Sequence, residues 1–209
     1  MLTSAKLGLA ALMAALLLST AVSTAPANRL SVSNQAIRAT WNNLEFTAPG
    51  VFTVRCRVTL EGSFHERTFS KSHGSLIGAV SRAFVKEESC VNGLAQPKRL
   101  PWHITFESFT GTLPRMRSVR LLLSRFRFLL RFSSPIVRCE YGTASDNIII
   151  DASLREDGEV LGFAPVEGSN TISREEPSDL LCPATGRVIG PEGQMMLLAT
   201  TDRIRITLI

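Results

Sequence analysis

The chain has 209 residues, 44% of them apolar and 20% charged, with four cysteines and a formal net charge of +5. That length and apolar content fit one domain with a sizeable core, and the sequence has no internal repeat or low-complexity tract. The modest positive charge favours anionic polymers or lipid headgroups as neighbours, gives no reason to expect nucleic acid, and assigns no function by itself.

Lys6 precedes an uninterrupted apolar run from Leu7 to Leu18, followed by small residues ending in Ala25-Pro26-Ala27. A positive start, a short apolar core and a small-x-small site predict a secretory signal peptide over 1–27, too short to span a bilayer comfortably. Cleavage is placed after Ala27, because cutting after Ala25 would leave Pro26 at the new terminus. The remaining residues, 28–209, read as a single secreted β-domain, soluble or peripherally attached. Loss of Lys6 leaves 22 basic and 18 acidic residues, a net charge of +4.

Cys56, Cys90, Cys139 and Cys182 all lie in the mature part. An even count after a secretory signal reads as two disulfides, for which three connectivities are open. Neighbouring pairs close the shorter loops, which favours Cys56 with Cys90 and Cys139 with Cys182. A metal site is the rival reading, but no C-x-x-C pair exists and no histidine lies close to a cysteine.

Between Asn28 and Ala48 two short strands are expected, separated at Asn42-Asn43, with a turn at Pro49-Gly50. From Phe52 to Leu60 the alternation is strict. Phe52, Val54, Cys56, Val58 and Leu60 share one side, and Thr53, Arg55, Arg57 and Thr59 the other, the pattern of a strand with one buried face. Glu61-Gly62 permits a reversal or a bulge, and Phe64 to Ser70 reads as a returning strand. Lys71 to Val85 fits a helix period in part, but Gly74 and Gly78 weaken a helix and bent strands are preferred. Cys90 falls in a polar stretch read as a loop, which runs through Asn92-Gly93 to Pro97. Trp102, Ile104 and Phe106 then alternate with His103, Thr105 and Glu107 in another strand.

The runs Cys56 to His65, Gly74 to Gly78, Leu100-Pro101-Trp102-His103, Phe109 to Pro114 and Arg203 to Ile209 resemble a group of small secreted four-cysteine proteins from actinobacterial soil bacteria. The resemblance covers nearly all of the mature chain. It implies a mostly β domain with the same cysteine layout, and it implies no activity.

Arg115 to Phe132 carries two competing readings. Wound as a helix, Arg120, Ser124, Arg127 and Arg131 form one polar stripe, which with Phe and Leu opposite would lie in a membrane interface. Read as strands, the alternation changes parity near Ser124 and requires a bulge or bend. Periodicity alone prefers the helix. The resemblance implies a strand leading to the third cysteine, and a β context can override local preference, so strands are expected. Arg120, Arg125, Arg127 and Arg131 are the candidate anion-contacting residues.

Between Glu140 and Asp179 there are ten acidic residues, opposed only by Arg155 and Arg174. Cross-strand pairing with the arginine-rich segment would leave both unremarkable. Asp146, Asp151, Glu156, Asp157 and Glu159 do not have the spacing of a calcium loop. Strands are expected over Asn147 to Ser153 and Glu159 to Phe163, a long loop over Gly168 to Asp179, and two closing strands over Gln194 to Thr200 and Arg203 to Ile209.

No nucleophile elbow is present, and no cofactor is expected. His65, His73 and His103 are the only histidines, and they would form a metal site only if the fold brought them together. Glu61 and Glu107 are the first candidates for a hydrolytic carboxylate pair. The sequence therefore reads as an all-β domain, an antiparallel β-sandwich with a partly closed barrel as the alternative, held by two disulfides. Its expected role is structural or binding, outside the cytoplasm and associated with an anionic cell-envelope polymer or lipid surface. A secreted hydrolase, metal-dependent if the histidines converge, is the alternative.

Overall fold

In the computed structural model the described residues are 29–48, 50, 52–133, 136–143 and 147–209. The signal peptide expected over 1–27 lies outside them, as do Pro49 of the expected turn and Asp146. Alternation of apolar and polar residues dominates the rest of the chain, and the described residues are all strand or loop. The strands in chain order are β1 (Arg29–Val32), β2 (Ala36–Ala48), β3 (Phe52–Phe64), β4 (Thr68–Ser70), β5 (Leu76–Val91), β6 (Gly93–Pro97), β7 (Trp102–Thr112) and β8 (Arg115–Ser124). They continue as β9 (Arg127–Ser133), β10 (Ile136–Gly142), β11 (Ile148–Leu154), β12 (Val160–Pro165), β13 (Thr171–Glu175), β14 (Thr185–Ile189), β15 (Gln194–Leu197) and β16 (Ile206–Leu208).

Among the described residues, one antiparallel sheet runs β12-β11-β8-β7-β5-β3-β2-β14-β13-β10-β9-β6, and β15 also pairs with β2. It curls strongly, so its own two halves supply the layers that face each other. At one end Phe163 of β12 exchanges backbone hydrogen bonds with Gly193, just before β15, and Val160 donates to the carbonyl of Ile204. At the other end Gly93 of β6 comes back against Val54 of β3. The β12 edge thereby gains backbone partners, and the β6 edge lies against a β3 side chain, so neither end is left fully open. A small sheet, β16-β1-β4, packs alongside with Leu30, Phe69 and Ile206 buried.

The expected alternation of Phe52 to Leu60 is borne out: Val54, Cys56, Val58 and Leu60 are buried, and Arg55 and Arg57 face water. Other local readings change or are resolved. Asn42-Asn43 is a bulge inside one long strand, between Trp41 and Leu44, and not a break between two. At Gly62 the chain bulges and continues, because a Cβ there would lie 2.2 Å from the carbonyl oxygen of Ala79, and only glycine admits that approach of β3 to β5. The segment after Phe64 does not return along β3, since β4 pairs with β1. Cys90 belongs to β5 and not to a loop, and the expected loop over Gly168 to Asp179 contains β13.

The disulfides are Cys56–Cys90 and Cys139–Cys182, the pairing expected from loop length. The first links adjacent strands. The second ties β10 to the turn that follows β13. Below the β6–β7 and β8–β9 connections lies an aromatic cluster in which Trp102 sits 4.8 Å from Phe126 and 5.3 Å from Phe128, with Phe46 4.7 Å from Phe128, between ring centroids.

Candidate functional site

The segment Arg115 to Phe132 is two strands, β8 and β9, broken at Arg125. Arg125 has φ +59°, the left-handed region, and this single residue produces the parity shift. Phe126 sinks into the aromatic cluster, and its N–H donates to Thr143 Oγ1 while Thr143 N–H donates back to its carbonyl. Arg125 is left at the surface.

The four candidate arginines do not share one face. Arg120 stands opposite Asp151 across β8 and β11, with Nε 3.8 Å from Oδ1. Arg127 is buried, its Nε 2.6 Å from Glu140 Oε1 and its Nη2 2.9 Å from Glu175 Oε2. These are the cross-strand pairings that the reversal of charge along the sequence suggested. Arg125 and Arg131 remain exposed and form no ion pair among the described residues.

Arg125 and Arg131 instead belong to a surface that also includes Lys98, Arg99 and Arg138. Lys98 and Arg99 lie in the β6–β7 connection, held by the Lys98 N–H to the Arg127 carbonyl and by Trp102 Nε1 to the Lys98 carbonyl, 2.9 Å each. Arg99 is also left-handed, with φ +51°. On one side of it a groove of about 450 Å³ is lined by Arg99, Arg125, Arg127, Thr143 and Glu175. On the other, a groove of about 410 Å³ is lined by Lys98, Arg99, Arg138, Glu140 and Asp179. Arg138 faces Arg131 directly across β9 and β10, both exposed. Like charges in that register repel, and an anion between them would relieve the repulsion. Non-glycine residues in the left-handed region are uncommon, and here two of them flank one groove.

Behind this surface Tyr141 is fully buried and donates from its hydroxyl to the Pro183 carbonyl, 3.0 Å away. Burial raises its pKa from 10.0 to about 12, with the Arg174 guanidinium pulling the other way. A raised phenol pKa holds the neutral form in the folded state. Its contribution to stability is therefore complete below pH 10 and is lost as pH rises from 10 through about 12. Since Tyr141 is the only tyrosine, a spectrophotometric titration of tyrosinate should show one transition near 12 in the native protein and one near 10 in urea. A native transition near 10 would contradict the burial of this hydroxyl.

The histidines have separate environments. His73 Nδ1 lies 2.9 Å from Glu107 Oε2, His65 is exposed just beyond β3, and His103 sits in β7 opposite Ala79 and Ser124. Among the described residues no group of three or more His, Cys, Asp or Glu side chains could hold a metal ion. Glu61 is buried between Arg38 and Arg82, at 2.8 and 2.9 Å, so it is an ion-pair partner of two neighbouring strands and not a free carboxylate. Asp157 and Glu159, in the acidic stretch, are engaged by Arg155, with Arg205 and Arg203 close by.

Two disulfides fit a location outside the reducing cytoplasm. No family model, no curated protein and no solved structure matches this chain.

Proposed function

We propose that this protein is a noncatalytic domain with a structural or binding role, exported from the cytoplasm and associated with the anionic cell envelope. The contact surface is that of Lys98, Arg99, Arg125, Arg131 and Arg138. The observation that carries the reading is that three separate stretches of chain deliver these five cations to one surface, none ion-paired to a carboxylate among the described residues. The signal peptide read over 1–27 and the two disulfides support export. Arg120 and Arg127 are left out of the contact surface because Asp151, Glu140 and Glu175 already engage them.

The test is retention of the mature, oxidised protein on isolated cell-envelope material. Retention should fall as salt rises from about 0.1 M to about 1 M, where the screening length shrinks from about 10 Å to about 3 Å. Replacing Arg99, Arg125, Arg131 and Arg138 together by glutamine should abolish it, whereas Arg120→Gln should leave it unchanged. Equal retention of the fourfold variant and the parent overturns the proposal.

A further inference from the structure

The turn that follows β13 exposes apolar side chains beside the basic surface. Leu180 is 99% exposed and Leu181 64%, and Ile136, two residues before Arg138 in β10, is 84% exposed. A surface cluster of this kind marks a site of contact with a protein or a membrane.

The turn is firmly held. Asp179 N–H donates to the Arg138 carbonyl at 3.0 Å, and Arg138 N–H donates to Asp179 Oδ2 at 2.7 Å. Cys182 N–H closes the turn onto the Asp179 carbonyl, its sulfur is bonded to Cys139, and Arg174 Nη1 donates to its carbonyl. Both ends of a four-residue turn are thus tied to one place on β10, and the two leucines project from it. The nearby acids are turned to backbone work: Asp179 takes the Arg138 N–H, and Glu176 Oε2 accepts from Ser178 N–H. The side chains of Arg138 and, across the strand pair, Arg131 stay exposed next to the tip. Apolar side chains flanked by arginines match the interface of an anionic bilayer, where the acyl boundary takes the leucines and the phosphates take the guanidinium groups. A polyanion would satisfy the arginines but offers no apolar phase to Leu180 and Leu181.

We propose that Leu180, Leu181 and Ile136 form a membrane-contact tip that inserts shallowly into an anionic lipid surface, with Arg131 and Arg138 bound to the headgroup phosphates. This rests on the envelope-association reading and narrows it to lipid. The probe is co-sedimentation of the mature, oxidised protein with vesicles of phosphatidylglycerol and phosphatidylcholine, compared with phosphatidylcholine alone. Binding should require phosphatidylglycerol. Leu180→Ser with Leu181→Ser should lower partition onto the mixed vesicles by about tenfold or more, since burial of a single leucine carries at least that much. Both positions are exposed, so this variant should fold like the parent and keep its salt-sensitive retention on lipid-free anionic envelope polymer. In a second measurement, Leu180→Trp should give a blue-shifted emission component on the mixed vesicles. Undiminished vesicle binding by the double serine variant overturns the proposal, as does parent protein that is retained on the polymer but ignores the vesicles. Failure to bind either material removes the envelope reading as well.

Discussion

Replacing Arg127 by glutamine should lower the free energy of unfolding by about 3–5 kcal/mol, the range for breaking a buried ion pair from one side. The side chain is 10% exposed, and its partners Glu140 and Glu175 are 12% and 18% exposed. Glu140 and Glu175 are themselves directly opposite across β10 and β13, so without the guanidinium two carboxylates face each other with little water between them. At this chain length the loss corresponds to a fall of roughly 10 °C in Tm. Arg120→Gln provides the contrast, because its pair with Asp151 is longer and more than a third exposed on both sides, and such pairs contribute at most about 1 kcal/mol. Urea denaturation of the two variants at neutral pH checks the difference. Replacing Arg127, Glu140 and Glu175 together by apolar residues should recover most of the loss, since no buried charge is then left unpaired. If Arg127→Gln unfolds within about 1 kcal/mol of the parent, the buried network is not what holds β9, β10 and β13 together.

The same strand explains where the sequence was legible. The alternation of Phe52 to Leu60 could be read directly because β3 has a dry face and a wet one. β9 has no such contrast. Phe128, Leu130 and Phe132 face the core, while on the other side Arg127 and Leu129 are also buried, beside the Glu175–Asp179 segment. With both faces covered the two-residue period fades, and the stripe of Arg120, Ser124, Arg127 and Arg131 imitated a helix. Cys90 reads as loop for the opposite reason: in the far half of β5 Phe84, Glu87 and Glu88 are exposed, and the inner residues Ala83, Val85 and Cys90 are only partly buried against the core.

The charge reversal along the chain did foretell the pairs Arg120 with Asp151 and Arg127 with Glu140 and Glu175. The assembly of Arg99, Arg125 and Arg138 could not be read, because it depends on β6, β9 and β10 being neighbours. One partial signal existed, since Arg131 and Arg138 are symmetric in sequence about Ser134-Pro135, residue types that favour a turn, and they meet if the strands form a hairpin. Leu180 and Leu181 precede Cys182 in a stretch that carries no periodic signal. Their exposure follows from the way Asp179 and Cys182 are both fixed to Arg138 and Cys139, which no local pattern encodes.

Removing the Cys139–Cys182 bridge, as Cys139→Ala with Cys182→Ala, should destabilise the protein by about 4 kcal/mol, the chain-entropy value for a loop of this size. The cysteines are 43 positions apart, against 34 for Cys56 and Cys90, so the entropic terms nearly match. The local consequences differ. Cys56 and Cys90 lie on strands whose neighbouring residues, Arg55 with Val91 and Arg57 with Lys86, are paired in the ladder, which persists without the bond. The Glu176–Ala184 segment has no strand of its own and depends on the bridge, on Asp179 and on the Tyr141 hydroxyl bonded to Pro183. Loss of Cys139–Cys182 should therefore free that hydroxyl, and the tyrosinate transition should move from near 12 back toward 10 while the protein is still folded. Vesicle partition should fall in the same variant although both leucines are present, because the tip is no longer held against Arg138. Loss of the Cys56–Cys90 bridge should cost comparable stability and leave both readouts in place. If the two disulfide variants cannot be told apart by tyrosinate titration and vesicle binding, the bridge at Cys182 serves global stability alone, and the turn it closes is held by its hydrogen bonds.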